Sequence, residues 1–497
     1  MKKIYAFILA LFTMMFTLTS CSNTFNTVED IKQNGVLTVA TNAEFPPFEY
    51  VDGENFKGID MDVVRLYGEH LGVEVDIQNM DFDAALLSVS TYKADISIAG
   101  VTKNAKREET LSFSDSYYVA NQVVVVKKDG PFADLTTKEE ILEALSNAKA
   151  KIGCQRGTTG EYYIKGSQDW DFTGIEGTTC KTYDNGALAI TDLEKGNLGA
   201  VIIDQAPAKL YEKNFKKVVA LDPILTEEEY CIAVAKGNDS LVESLNTFIA
   251  EIKTNGEFDK VLNAYFGEGD DIVIDNQKES TIGDNVISVL KGLGITFLIT
   301  ACAFAIGILL GLLNSIIQRV DSDNWGWKII KGISKVYVNV FRGTPVAVQL
   351  LIIYYVIFAS INPIFAAVIT FGLNSGAYVS EIIRGGINAV PRGQMEAGRS
   401  LGLSYPTVMR KIVAPQAIRN CFPSLCNEFV SLIKETSIVS FITVIDLYAA
   451  FRAIATATFN YKAVYLIMGV VYFVLIYVIS MLIKLLEKRL MKNVETK

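Results

Sequence analysis

Between Gly292 and Ile317 the chain runs for 26 residues without one charged side chain, enough for a helix to cross the roughly 30 Å apolar layer of a bilayer. No other stretch restricts the fold as strongly, because a segment in lipid must pair all its own backbone polar groups. Gly343 to Ser380 adds 38 uncharged residues, too many for one span, and Asn362-Pro363 divides them into two spans joined by a tight turn. A fourth span is expected within Pro423 to Ile445, where Glu428, Lys434 and Glu435 must face protein, water or substrate rather than lipid. Ala463 to Ile483 supplies the fifth. The chain is 50% hydrophobic and 20% charged, but up to about residue 280 apolar and charged segments alternate as in a soluble protein. A soluble half therefore precedes a membrane half.

The N-terminus reads as an address. Lys2 and Lys3 precede an uncharged run from Ile4 to Ser20, the basic and short apolar regions of an export signal. The run ends Leu18-Thr19-Ser20-Cys21, which resembles a bacterial lipobox, and by that resemblance Cys21 is the acylated first residue of the mature chain. An uncleaved anchor is the alternative. Five spans that begin outside end inside. Lys484, Lys488, Arg489, Lys492 and Lys497 follow the last span, and Arg319, Lys328, Lys331 and Lys335 follow the first, as positive charge on the cytoplasmic side requires. The expectation is a multi-pass protein of the bacterial cell membrane, with its soluble half on the outer face and its C-terminus in the cytoplasm.

Several classes fall away on composition. A formal charge of −9 and the absence of a basic stripe in the soluble half exclude nucleic acid as the natural partner. One histidine, His70, and seven cysteines without a CxxC pair leave no metal site and no Ser-His triad to build. Among the soluble cysteines Cys154, Cys180 and Cys231, one disulfide is possible, Cys154 with Cys180 being a candidate pair, and free buried thiols are an equal alternative.

From Val36 onward, short buried strands ("VLTVAT", "ADISIAG", "AKIGCQ", "CKTYD", "GAVIID") alternate with helical patterns such as "GIDMDVVRLYGEHLG". That alternation predicts open α/β sheets, whose ligands sit beyond the carboxyl ends of the strands. Asn42 and Glu44 close the first strand, followed by Phe45 and Phe48 on a loop stiffened by two prolines; Gly100, Thr102 and Arg107 follow the next; Asp204 ends a wholly apolar run. A zwitterion needs both signs: an arginine fork and hydroxyls for a carboxylate, an acid for an ammonium, aromatic faces for an aliphatic stem.

With PPFEY, GIDMD, the spacing from Thr102 to Arg107, FSDSYY, the RGTTG turn (Arg156 to Gly160) and Asp204, this half resembles the polar amino-acid binding proteins of ABC importers. The resemblance implies a two-lobed, type II periplasmic-binding-protein-like α/β fold over residues 25–266. Lobe 1 is about 35–120 and 223–266, lobe 2 about 121–222, and the chain crosses near Val119 to Val123 and Ala220 to Pro223. It further implies Arg107 on the ligand carboxylate with Thr102 and Gly100 beside it, Thr158 or Thr159 closing from lobe 2, Asp204 on the amine and Phe45 against the ligand. Asn42 joins this candidate set, and Phe48 is expected in the core. Asn42 and Glu44 favour a basic or amide side chain on the ligand, Arg156 an acidic one.

A polar linker, residues 267–284, leads to an all-α membrane domain, 285–497. Between its third and fourth spans lies "EAGRSLGLSYPTVMRKIVAP", 396–415, ringed by arginines and lysines. Gly402 is suited to end one helix with φ > 0, Ser404 to cap the next, and Pro406 to sit in its opening turn. The stretch resembles the EAA loop of importer permeases, which docks into a cleft of the ATPase subunit; Glu396, Ala397, Gly402 and Pro415 carry the match, with Gly398 and Ala414 departing from the commoner alanine and leucine. "YVNVFRGTPVAVQLLIIYY", "LNSGAYVSEIIRGG" and "ETSIVSFITV" extend the resemblance to the amino-acid permeases. No GxxxxGK[ST] stretch occurs, so a separate ATPase chain is implied. Five spans without an internal repeat imply a path between two such halves, most simply in a homodimer within membrane lipid. The function expected is import of a polar amino acid, with no chemistry on it and no cofactor. The alternatives are a ligand-gated channel, where a pore would interrupt the binding fold; an enzyme on the two-lobed scaffold, with Glu44 the one candidate acid; and a sensor, for which no kinase or methyl-accepting tail is present.

Overall fold

A computed structural model describes residues 24–52, 55–266, 282–320, 322–358 and 361–495. The export signal with Cys21, most of the 267–284 linker and Lys497 lie outside the described residues. The chain divides into two compact units, the first formed by the described residues up to Ser288 together with Phe451–Val464, the second by Val289–Ala450 and the described residues from Tyr465.

The first unit is built on a nine-stranded sheet. Its strands are β1 (Val36–Thr41), β2 (Glu74–Asn79), β3 (Ile96–Ser97), β4 (Leu111–Lys127), β5 (Lys151–Gln155), β6 (Thr179–Tyr183), β7 (Ala200–Asp204), β8 (Val218–Ala220) and β9 (Thr226–Ala235), ordered β2-β1-β3-β9-β4-β7-β5-β6 with β8 beside β4. β1 runs parallel to β2 and β3, and β5 parallel to β6 and β7. β4 and β9 lie between these sets and pair antiparallel along most of their length. The sheet is thus two parallel lobes joined by two long strands. Each lobe has its own core, one around Ala40, Phe82, Val101 and Phe113, the other around Val124, Ile141, Ile152 and Ile202. Burying one such aliphatic or aromatic side chain contributes about 1.5–3 kcal/mol.

The first crossing between the lobes falls within β4. The second lies later than the expected Ala220 to Pro223: Thr226, Glu227, Glu228 and Glu229 of β9 pair with Gln122, Asn121, Ala120 and Val119. The polar run "TEEE" is therefore strand, held by backbone pairing rather than by apolar side chains, and this brings Glu228 to the boundary of the lobes.

The second unit is helical. Asn285–Arg319, Pro363–Asn388 and Tyr461–Leu485 are long and apolar enough to span a membrane. Two further spans exist if two bent pairs each count as one: Trp325–Gly343 with Val346–Ile357, bent by 112°, and Tyr405–Ile442 with Leu447–Thr458, bent by 57°. The expected span from Gly343 to Asn362 is thus not one straight helix. Thr344 is extended, and Pro345 restarts the chain as the cap of a short helix, because the residue before a proline is driven out of the helical region.

Ile282–Arg319 and Pro363–Asn388 approach through small residues. A methyl group on Gly311 would lie 2.5 Å from Val379 Cγ1, one on Gly307 2.7 Å from Ser375 Oγ, and one on Gly372 2.8 Å from Ile306 Cγ2. Small residues four apart let helix backbones come close, which is how helices in lipid gain packing energy. The buried polar groups here form neutral networks: Asn314 Nδ2 donates to Ser380 Oγ at 2.9 Å, and Asn374 Nδ2 to Gln349 Oε1 at 3.0 Å.

The 396–415 stretch folds as a helix, a sharp turn and a second helix. Arg392–Ser400 ends at Leu401, Gly402 has φ 81°, and the next helix begins at Tyr405 with Pro406 in its first turn. Ser404 occupies the cap position but its hydroxyl pairs with the Thr407 hydroxyl at 2.8 Å rather than with a backbone N–H. The departure at Gly398 has a steric cause: a Cβ there would stand 2.8 Å from Val408 Cγ2 and 3.2 Å from Ile412 Cδ1. Val390, Val408, Val413 and Ala417 form the small core beneath.

Candidate binding site

One cavity opens where the lobes of the first unit meet. Asn42, Phe45, Gly100, Thr102, Arg107, Thr158, Thr159 and Asp204 all border it. Each stands where the α/β topology puts it: Asn42 just after β1, Gly100 and Thr102 beyond β3, Asp204 at the last position of β7. Thr158 and Thr159 open the helix Thr159–Lys165 that follows β5.

Arg107 lies in a short helix whose N-cap, Asn104, accepts from the Arg107 backbone N–H at 2.8 Å. Its guanidinium sits over the Phe82 ring, 5.2 Å from the centroid, and 5.8 Å from that of Trp170, which favours a flat cation. Nη1 donates to the Thr102 carbonyl and Nη2 to the Gly157 carbonyl at 2.9 Å, so this side chain of lobe 1 holds the backbone of lobe 2. Gly157 needs its positive φ of 73° and its bare Cα, since a Cβ would come 2.6 Å from Asp83 Oδ1. Two more bonds join the lobes: Gln155 Nε2 to Asn42 Oδ1 at 3.2 Å, and Asn185 Nδ2 to Glu44 Oε2 at 2.9 Å.

The opposite wall is acidic. Glu228 Oε2 accepts from the Thr102 hydroxyl at 2.6 Å and from the Thr159 hydroxyl, bridging a residue of each lobe. Burial, reinforced by nearby Asp204, pushes the Glu228 carboxyl up to about 8. Burial likewise lifts Asp204 to about 6 even though the Tyr230 hydroxyl donates to it. Behind them Glu49 and Asp60 share a hydrogen bond, and burial raises Glu49 well above the usual carboxylate range. Asp60 also accepts from the Gly100 backbone N–H at 3.0 Å and the Tyr117 hydroxyl at 2.8 Å, so Gly100 offers the cavity no free N–H, only the close approach that its φ of 54° and missing Cβ allow beside Phe45 and Tyr230.

Some candidates lie elsewhere. Arg156 pairs with Asp184 at 3.3 Å, both half exposed to solvent or more, so it gives no reason to expect an acidic ligand. Glu44 is committed to Asn185 and is not among the cavity's bordering residues. Phe48 is fully buried against Phe45, Tyr118 and Tyr230. The Cys154 and Cys180 sulfurs are 3.4 Å apart and unbonded. Glu49, Gln122, Gln155 and Glu228 border the cavity without having been singled out from the sequence. For Glu228 the sequence carried no signal: "TEEE" is uniformly polar, and the long-range pairing of its strand buries the middle glutamate. Among the described residues no group of acid, histidine and cysteine side chains could hold a metal ion.

Residues 37–268 match the family of bacterial extracellular solute-binding proteins, family 3, and residues 303–492 match the binding-protein-dependent transport system inner membrane component. The putative glutamine transport system permease protein GlnP of Rickettsia prowazekii is 39% identical over 212 residues, covering 42% of this chain and 95% of that protein. The chain belongs to the amino-acid ABC transporters. It carries their binding and permease domains fused in one polypeptide. The arginine transport system permease protein ArtQ of Bacillus subtilis is 37% identical over 209 residues, 41% of this transporter chain and 93% of its own length. Among solved structures, a mutant of ArgBP from T. maritima is 33% identical with a TM-score of 0.43, covering 48% of the transporter and 99% of that chain. The α/β binding domain and the helical, multi-pass permease domain of the inner membrane correspond to the two matched families.

Proposed function

We propose that this chain captures a polar amino acid in its binding domain and passes it through its permease domain, driven by a separate ATPase chain. Arg107 holds the ligand carboxylate with Thr102 beside it and Thr159 facing it from lobe 2, Asp204 accepts from the ammonium, and Phe45 packs on the aliphatic stem. Asn42 and Thr158 complete the wall. The observation that carries this reading is the cavity at the meeting of the lobes, where a guanidinium and a carboxylate flank aromatic faces. Such a ligand bridges both lobes and favours their closed arrangement through its differential contacts.

Coupling is assigned to the 396–415 protrusion. Glu396, Ala397, Gly402 and Pro415 are exposed on it, and Leu401 at its turn is 80% exposed, an apolar tip suited to a partner's cleft. The permease works as a homodimer with one binding domain per protomer. The binding domain lies on the outer face, Cys21 is acylated, and the C-terminus is cytoplasmic. The test is co-purification: an ABC ATPase chain is recovered with the full chain, and Leu401→Asp loses it while keeping amino-acid binding. Retention of the ATPase by that variant contradicts the coupling assignment.

A further inference from the structure

The cavity wall has more acceptors than it can satisfy. Among its bordering residues are three carboxylates, Glu49, Asp204 and Glu228, and a single cation, Arg107. Glu49 and Glu228 are 1% and 5% exposed, yet Glu49 Oε2 and Glu228 Oε1 have no hydrogen-bond partner, and neither has Oε1 of Gln122, 1% exposed, beside them. The Gln122 amide is near Asp204 and Glu228, but no hydrogen bond of normal geometry reaches Glu228 Oε1. The wall's own donors are already used: the Thr102 and Thr159 hydroxyls on Glu228, the Asn42 amide on the Met80 carbonyl, the Gln155 amide on Asn42. A buried acceptor without a donor is costly, and a buried carboxylate without a cation more so.

We infer that the amino acid held here carries a second positive charge on its side chain, as arginine, lysine and ornithine do. The inference rests on the amino-acid reading above and extends it. An α-carboxylate occupies Arg107 and an α-ammonium balances one acid. That leaves Glu49 and Glu228, each with an orphaned oxygen; burial holds both protonated until a cation beside them lets them ionise. An amide side chain brings an acceptor as well as donors and no charge. A carboxylate side chain adds repulsion. A guanidinium or ammonium supplies only N–H donors for these oxygens, and its charge favours the ionised form of the acids beside it, while Phe45 and Phe82 border the cavity along its methylene stem.

The test is an equilibrium titration of the purified full chain in detergent with arginine, lysine, ornithine, glutamine and glutamate. At least one basic ligand is expected to bind ten times more tightly than glutamine, and glutamate more weakly than either. Glu228→Gln and Glu49→Gln are expected to narrow the gap between arginine and glutamine; the wild-type comparison decides alone if the variants do not fold. Glutamine or glutamate binding as tightly as every basic ligand overturns the inference and leaves the amino-acid reading standing. Binding of no amino acid at all overturns that reading itself.

Discussion

The cavity of the binding domain and one helix contact of the permease domain bury polar groups in opposite ways. In the first, Glu49, Asp60, Asp204 and Glu228 are buried around one cavity, and some of their oxygens lack donors. In the second, the helix contact of Ile282–Arg319 with Pro363–Asn388 rests on glycines, and the side chains of Asn314, Ser380, Gln349 and Asn374 answer one another without net charge. Both domains must satisfy what they bury, but the surroundings differ. A charge in lipid is expensive and has no solvent to return to, so this helix contact uses neutral pairs and close packing, while Asp446, fully buried elsewhere in the permease domain, is an exception to that pattern. A binding cleft opens to water between ligands and leaves its acids incomplete for a guest to finish.

The contrast is sharpest at Arg107. Arg107→Ala removes the one cation of the cavity, and amino-acid affinity is expected to fall on the order of 100-fold, since charge-assisted bonds contribute about 1.5–3 kcal/mol each. Calorimetry on the full chain measures it, and unchanged affinity would remove the carboxylate assignment. In the permease, Gly311→Leu pushes a side chain into Val379 and Ser380, with an expected cost of about 1–3 kcal/mol. A melting point in detergent lowered by several degrees, with ligand binding intact, supports the packing account; an unshifted melting point breaks it. A smaller effect is expected from Gly157→Ala, which sets a methyl group against Asp83 at positive φ. Closure should suffer, with affinity about tenfold weaker, equivalent to ~1.4 kcal/mol.

The acids give the smallest and most diagnostic effect. Glu228 is raised to about 8 and Asp204 to about 6, whereas an unfolded chain releases these protons near pH 4. The folded protein therefore holds more protons than the unfolded one between those limits, and its stability falls as pH rises from about 4 to 8. The melting temperature of ligand-free protein is expected to decline by a few degrees between pH 5 and 8, and Glu228→Gln to flatten the slope. A slope unchanged in that variant excludes Glu228 as a source of it.

How much of this was legible in the sequence depended on whether a residue's place was set locally. Asn42 follows and Asp204 ends an apolar strand, so their position at strand ends could be read from the string. The turn at Gly402 and Pro406 is likewise local chemistry. Glu228 was not legible in the same way: three consecutive glutamates read as a solvated face, and only pairing of β9 with β4 across more than a hundred residues buries one of them. Glu49 was quoted within PPFEY, but its neighbour Asp60 comes from the next helix and its role from burial. The bend at Thr344-Pro345 carried a signal that an uninterrupted apolar run masked. Gly398 looked like a departure from its family pattern until Val408 packed against it.

The central claim is that one polypeptide both binds an amino acid and conducts it. Proteoliposomes holding the full chain and the ATPase that co-purifies with it should accumulate radiolabelled arginine or another polar amino acid when ATP is supplied on the ATPase side, and Arg107→Ala should abolish accumulation. Failure of every amino acid to accumulate, in vesicles that hydrolyse ATP, contradicts the account.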